Sequence, residues 1–216
     1  MPLPRALFTL ALLWGLAAFV ATVGVRAPVQ PATEAYAQPV RGLLALLATG
    51  LVLLWPLARL AGPAANREPR RVLVDLAVLL VLLQGGFWPL HLVTGWTLER
   101  AAAIDLLLTG WAAVAGAAIA LGANPARSMR VALAAMAVAA AGPALDAFGV
   151  AAPWPALAGP FAALAWLTAP GDPAAETIAW AVAAWPWTVA PAAWAWALAS
   201  RPVPGAPCPG MPDPLP

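Results

Sequence analysis

Long apolar runs alternate with short polar segments along most of this chain of 216 residues. Six of the runs are long enough, at about 1.5 Å of helix per residue, to cross the roughly 30 Å hydrocarbon layer of a bilayer. The pattern therefore predicts an all-α, polytopic membrane helical bundle that forms a single transmembrane domain over residues 1–200. The predicted spans cover residues 6–24, 42–60, 72–92, 101–121, 131–150 and 177–200.

The first run has two readings, a cleaved signal peptide or a retained helix. It follows Arg5, exceeds the 7–15 apolar residues typical of a signal peptide, and lacks a small-x-small cleavage site after it. We expect a retained helix. Residues 25–41 are polar and contain Pro28, Pro31 and Pro39, which predicts an extended external loop.

Residues 151–169 are apolar and just long enough to span, but their first half is crowded with helix breakers: Pro153, Pro155, Gly159 and Pro160. Such breaks in a lipid-exposed helix would leave backbone groups unsatisfied in hydrocarbon. A re-entrant hairpin buried against other helices tolerates them. We therefore predict six transmembrane helices plus a re-entrant hairpin, with seven transmembrane helices as the alternative.

The arginines set the orientation, because cytoplasmic loops of membrane proteins carry an excess of positive charge. With the N-terminus in the cytoplasm, six spans leave only Arg26, Arg41 and Arg100 outside. Seven spans would also move Arg201 outside. We expect a multi-pass protein of a bacterial cytoplasmic (inner) membrane. The arginines expected inside are Arg5, Arg59, Arg67, Arg70, Arg71, Arg127, Arg130 and Arg201.

Composition agrees with a membrane protein and excludes other classes. The chain is 63% hydrophobic and 9% charged, and a soluble globule of this size needs more polar residues than these to cover its surface. The net charge of +2 reflects the loop arginines, so no nucleic-acid partner is expected. The lone Cys208 permits no internal disulfide. Residues 201–216 are rich in Pro and Gly, which predicts a disordered Pro-rich tail.

No motif for a chemical reaction is present in the sequence. A single histidine cannot supply bis-histidine haem ligation or a multi-histidine zinc site, and no phosphate-binding G-x-x-x-x-G-K-[ST] loop occurs. We expect no enzyme activity, no cofactor and no metal.

Ionisable residues inside the spans are the candidates for function, since they are costly in a membrane. Asp105 and Asp146 lie at similar depth near the outer ends of the fourth and fifth spans, and His91 ends the third. They form a predicted outer polar pocket. The alternative is that each sits at a hydrated helix end. Asp75 follows Arg71 by four residues and is predicted to pair with it.

Two repeating patterns predict packing faces. Trp180, Trp187 and Trp194 recur every seven residues along one face of the last span, where a packing role is favoured over a groove for an apolar substrate. In the fourth span small residues recur every four positions, which predicts close approach of another helix. These are Ala112, Gly116 and Ala120.

The architecture resembles the permease subunits of ABC-2-type exporters. The resemblance lies in six helices with both termini inside, an Arg-bearing loop after the second, and an external hairpin before the sixth. The stretch 159–164 (GPFAAL) followed by Gly171-Asp172-Pro173 is similar to that family's hairpin region. The acidic, Lys-bearing segment that the family carries before the third span is missing here. The resemblance implies a permease-like subunit and carries no functional residue over.

Two functions from different classes follow. In the first, the chain is the membrane subunit of an exporter of an apolar or amphipathic substrate, with an ATPase bound at residues 61–71 and 123–130. In the second, it is a non-catalytic scaffold or assembly subunit of a larger membrane complex or homo-oligomer. The cytoplasmic contacts in the first reading are Arg67, Arg70, Arg71, Arg127 and Arg130.

Overall fold

A computed structural model describes residues 3–24, 33–150, 154–169 and 177–200. Over these ranges the structure is helical and contains no strand, which confirms the all-α prediction. A π-helical turn, Gly50–Leu54, joins α2 to α3, and a 3₁₀ turn, Ala64–Arg67, precedes α4. The helices are α1 (Leu3–Thr22), α2 (Thr33–Thr49), α3 (Trp55–Ala61), α4 (Pro69–Thr94), α5 (Leu98–Leu121), α6 (Pro125–Ala147), α7 (Trp154–Ala158), α8 (Pro160–Leu167) and α9 (Thr177–Ala199).

Four helical stretches among the described residues are long and apolar enough to cross a membrane. A shorter apolar helix, Ala6–Thr22, precedes them. The last helix, α9, has 23 residues and contains Pro186 and Pro191. The four stretches are Gln38–Ala61, Pro69–Leu92, Leu98–Leu121 and Arg127–Ala147.

Successive long helices run in alternating directions. The Trp14 indole N–H donates to the Leu46 carbonyl at 3.0 Å, and Gly42 packs on Thr22, so α1 and α2 are antiparallel. Three-residue connections then join α4 to α5 and α5 to α6. We call the two ends of the bundle the Arg67 end, where α3 and α5 finish, and the Arg100 end, where α5 starts.

Helix α9 continues this alternation after α6, because it packs parallel to α5. The indole N–H of Trp187 donates to the Leu106 carbonyl at 3.0 Å, and that of Trp194 donates to the Ala113 carbonyl at 3.1 Å. Both pairs are 81 residues apart, a constant offset that only parallel helices produce. Interhelical hydrogen bonds of this kind stabilise helix pairs in membranes. Trp187 and Trp194 thus pack against α5, and Trp187 keeps 40% of its surface exposed.

Small residues of α5 allow this close approach. Ala112, Gly116 and Ala120 are all buried, as the four-residue repeat predicts. A Cβ at Gly116 would lie 3.1 Å from the Trp194 ring and 3.4 Å from the Trp55 ring. The predicted contact face is therefore confirmed, and its partners are α9 and α3.

Substitution of Gly110 by alanine is expected to separate α5 from α9. The added Cβ would lie 2.8 Å from the Trp187 ring and 3.1 Å from Pro186, an overpacking that costs about 1–3 kcal/mol. Gly86→Ala is the matched control, because it is also a helical glycine and has no heavy atom within 4 Å of the new Cβ. It should be neutral or stabilise by up to about 1 kcal/mol. Thermal denaturation in detergent measures both, and equal midpoints for the two variants would contradict this packing.

Helices α7 and α8 form a hairpin that turns back on itself. Gly159 has an extended backbone between them, and Pro160 opens α8, so the predicted break at Gly159-Pro160 is confirmed. A Cβ at Gly159 would lie 2.6 Å from the Val138 carbonyl oxygen, which places the turn midway along α6. Arg100 donates to the Leu167 carbonyl at 2.7 Å, so α8 finishes at the Arg100 end, where α6 also ends.

Some predicted boundaries were wrong. The predicted loop 25–41 is helical from Thr33 onwards, and α2 continues through Pro39. Proline in the second turn of a helix removes a single backbone hydrogen bond, which this helix tolerates. The fifth predicted span begins at Pro125 rather than residue 131, because proline suits the first turn of a helix. Residues 25–32 and the predicted tail 201–216 lie outside the described residues.

Candidate functional site

A stripe of exposed and partly exposed residues runs along the first three turns of helix α5, most of whose residues are buried. Its members recur at helical spacing between the face that packs on α4 and the face that packs on α9. The stripe consists of Leu98, Ala102, Asp105 and Thr109. With Gln84 and Trp88 of α4 on one side and Trp187 of α9 on the other, it forms what we call the α4–α9 crevice.

The crevice is confined to the Arg100 half of the bundle. Toward the Arg67 end, the same gap is filled where Trp194, Trp55 and Val72 meet over Gly116, at 3.1, 3.4 and 3.6 Å from its Cβ position. Trp55 and Val72 are buried. The crevice is therefore closed toward the Arg67 end and opens toward the Arg100 end.

A chain of polar contacts lines the α4 side of the crevice. The Gln84 amide donates to Asp105 Oδ1 at 2.6 Å, and the Trp88 indole N–H donates to Gln84 Oε1. The imidazole Nδ1 of His91 lies against the Trp88 carbonyl oxygen, and its ring packs edge-on against the Trp88 ring at 5.8 Å. Helix α5 supplies the carboxylate and α4 supplies the groups that hold it.

The structure brings together only part of the predicted outer polar pocket. Asp105 and His91 are linked through Gln84 and Trp88, neither of which sequence analysis singled out. Asp146 is exposed near the end of α6. None of the hydrogen bonds or ion pairs among the described residues joins Asp146 to the other two, so its grouping with them is not supported. The sequence signal for this polar group is Gln84, a carboxamide one turn before Trp88 inside an apolar span.

The predicted Arg71–Asp75 pair is wrong. Asp75 forms an ion pair with Arg59 of α3, and the two side chains are only 4% and 9% exposed. Arg71 is exposed in the first turn of α4, where its Nε lies 3.7 Å from Glu68 Oε2. Helix packing brings Arg59 to the interior face of α4, and this tertiary contact overrides the local four-residue spacing.

Arg67 is an interior residue and not a surface contact. It is 6% exposed, and its guanidinium donates to four backbone carbonyls. Three belong to the end of α3 and the turn after it, and the fourth belongs to the end of α5. The acceptors are Arg59 at 3.2 Å, Leu60 at 2.6 Å, Gly62 at 2.7 Å and Gly122 at 2.7 Å.

This clamp joins two loops at the Arg67 end. The last carbonyls of a helix have no partner within the helix, and the guanidinium supplies donors to the ends of both α3 and α5. Because the loops on either side of the clamp are fixed together, their exposed arginines lie at one end of the molecule. These are Arg70, Arg71, Arg127 and Arg130.

Comparison of the chain with family models, with curated proteins and with solved structures gives no match. The resemblance to ABC-2-type permeases therefore stays a prediction. Within the described ranges, no three His, Cys, Asp or Glu side chains come together as metal ligands. The features that bear on function are therefore the crevice, the hairpin and the arginines at the Arg67 end.

Proposed function

We propose that the chain is the permease-like membrane subunit of an export system that handles an apolar or amphipathic substrate. The observation that carries this proposal is the α7–α8 hairpin, which lies between α6 and α9 and finishes at the end where it begins. A helical hairpin in this position is the feature by which the sequence resembles ABC-2-type permeases.

In this proposal the chain crosses a bacterial inner membrane six times, with both chain termini in the cytoplasm. The crossings are α1, α2 with α3, α4, α5, α6 and α9, and the hairpin enters and leaves from the outer side. Large apolar side chains that are exposed on the bundle support lipid contact. They include Leu10 at 64% and Leu16 at 59% on α1, and Met129 at 68% and Leu133 at 58% on α6.

The cytoplasmic face in this proposal is the Arg67 end, where it meets an ATPase. The exposed arginines there suit a partner with acidic contact residues. Arg127 and Arg130 lie on the first turns of α6, and Arg70 and Arg71 lie on the first turn of α4. The Arg67 clamp holds these turns close enough to form a common docking surface.

An affinity-purification experiment tests the proposal. The tagged chain, extracted from its native membranes in mild detergent, should retain an ATPase that mass spectrometry identifies. Charge reversal of Arg127 and Arg130 to glutamate should release that ATPase. The control is Glu99→Arg, an exposed charge reversal at the opposite end of the bundle. Recovery of the chain without any ATPase would contradict the exporter assignment.

The second candidate function is a scaffold or assembly subunit, and the exposure of α6 favours it. Over the apolar stretch of each helix, only 11% of the residues of α6 are buried inside the fold, compared with 67% of those of α5. A second membrane subunit packed on α6 would cover the exposed side chains of Met129, Leu133 and Met136. The same purification separates the two functions, because a scaffold would retain membrane subunits and no ATPase.

A further inference from the structure

We propose that the α4–α9 crevice binds the ammonium head of a lipophilic cation, with Asp105 as its counter-ion. The proposal names a substrate class for the export function above and in that sense rests on it. The binding itself requires only this chain.

Two aspartates inside predicted spans differ in whether the chain supplies them with a cationic partner. Asp75 is buried and has a built-in cationic partner, Arg59. Asp105 is partly exposed to the crevice, and none of the ion pairs among the described residues includes it. A carboxylate at membrane depth is costly unless a cation neutralises it. The fold therefore leaves one of the two carboxylates available to a cation from outside the chain.

The nearest arginine is held elsewhere. Arg100 lies five residues before Asp105, on the opposite side of α5. It donates to the carbonyls of Leu167 and Ala169 and lies 5.8 Å from the centre of the Trp96 ring. The hairpin thus holds Arg100 on the side of α5 away from Asp105.

Hydrogen bonds fix the orientation of the groups around Asp105. An indole N–H can only donate, so Trp88 fixes the carbonyl oxygen of Gln84 toward itself. The Gln84 amide nitrogen must then point to Asp105, where it donates to Oδ1. Asp105 is consequently held as an acceptor, which is the role that a carboxylate plays toward a cation.

Aromatic and apolar side chains surround Asp105 in the α4–α9 crevice. Trp88 is partly buried and Trp187 is 40% exposed, and the faces of indole rings attract ammonium groups. Gly85, next to Gln84 on α4, is exposed and has no heavy atom within 4 Å of its Cβ position. Val81 and Leu92 lie on the same side of α4 at 72% and 75% exposure and offer an apolar surface to a lipophilic tail.

The binding test uses the purified chain in phosphatidylcholine nanodiscs and two fluorescent probes of nearly equal shape. One is trimethylammonium-diphenylhexatriene, a lipophilic cation, and the other is diphenylhexatriene propionate, an anion. Energy transfer from tryptophan to each probe is followed in titration. The cation should show a saturable component above linear partitioning into lipid, and the anion should show only partitioning.

Four variants make this result specific. Asp105→Asn should weaken the saturable binding by about tenfold or more, because it removes the counter-charge. Asp105→Glu should keep it. Trp88→Phe should weaken it several-fold by releasing Gln84. Asp146→Asn is the matched control, since it removes the same charge from an exposed position at the same end of the bundle, and it should bind like the parent chain.

The proposal is overturned if Asp105→Asn binds the cation like the parent, if Asp146→Asn loses as much, or if the anion saturates equally. Should Asp105→Asn fail to give a single peak in size exclusion, Trp88→Phe decides, and unchanged binding by it overturns the proposal. Saturable cation binding without a co-purifying ATPase would leave the crevice assignment standing and reject the exporter function.

Discussion

Substitution of Arg67 by alanine is expected to destabilise the bundle by about 2–4 kcal/mol, because it removes charge-assisted hydrogen bonds to several backbone carbonyls. Four backbone carbonyls at the ends of α3 and α5 would lose their shared donor. The Arg59 carbonyl would keep the backbone N–H of Gly62, and each buried acceptor left without a donor would cost about 1–3 kcal/mol. The thermal midpoint in detergent should fall by about 10 °C.

Two further variants test the geometry of the clamp. Arg67→Lys keeps the charge but lacks the planar fork of donors, so it should recover less than half of the loss. Arg70→Ala removes a neighbouring arginine that is exposed, and its midpoint should change by about 1–2 °C at most. If Arg67→Ala melted like Arg70→Ala, the four-carbonyl clamp would not exist as described.

Substitution of Arg59 by alanine is expected to have a comparable effect, about 3–5 kcal/mol, because it leaves the Asp75 carboxylate buried and unpaired. Asp75 is 3% exposed, so water cannot take over the role of the guanidinium. Size-exclusion analysis after heating gives the midpoint, and the accumulation of the variant in membranes gives an independent reading.

The double variant Arg59→Leu with Asp75→Leu separates the ion pair from simple loss of packing. Removal of both charges removes both desolvation costs, so the double variant should be much more stable than Arg59→Ala, and within about 1–2 kcal/mol of the parent. A double variant that is as unstable as the single one would show that the pair is not the source of the effect.

The sequence was sufficient to predict the helices because length and apolarity fix which segments can span. Residues 42–60, 72–92 and 101–121 all lie within helices of the structure. The hairpin was also predictable, because Gly159-Pro160 cannot continue a helix in an apolar stretch. The start of α2 was not, because prolines near a helix start are compatible with both helix and loop.

The side-chain partners were harder to predict, for a geometric reason. The rise per residue gives the depth of Asp105, His91 and Asp146, and the three depths are similar. Depth does not give the direction in which each helix face points, and this direction depends on how the helices pack. Asp146 is exposed on the surface of the bundle, whereas Asp105 accepts a hydrogen bond from Gln84. The same limit explains why Asp75 was assigned to Arg71 rather than to Arg59.

The composition of a loop does not show which of its arginines is buried, as the position of Arg67 demonstrates. Three arginines close together in one loop predicted exposed contact residues on the cytoplasmic side; Arg70 and Arg71 are exposed, and the side of the membrane stays a prediction. Arg67 instead serves the ends of two helices. Its acceptors are backbone carbonyls, which carry no signal in the sequence.

The central claim is that the chain crosses the membrane six times, with the α7–α8 hairpin entering and leaving on one side. Single cysteines in a Cys208→Ser background, treated with a membrane-impermeant maleimide in intact cells, test it most directly. Cysteines at Phe148 and Ala174, before and after the hairpin, should both label without lysis. Those at Ala65 and Ser200 should label only after lysis. Labelling of Phe148 but not Ala174 in intact cells, together with labelling of Ser200, would mean that the hairpin crosses the membrane and would contradict the claim.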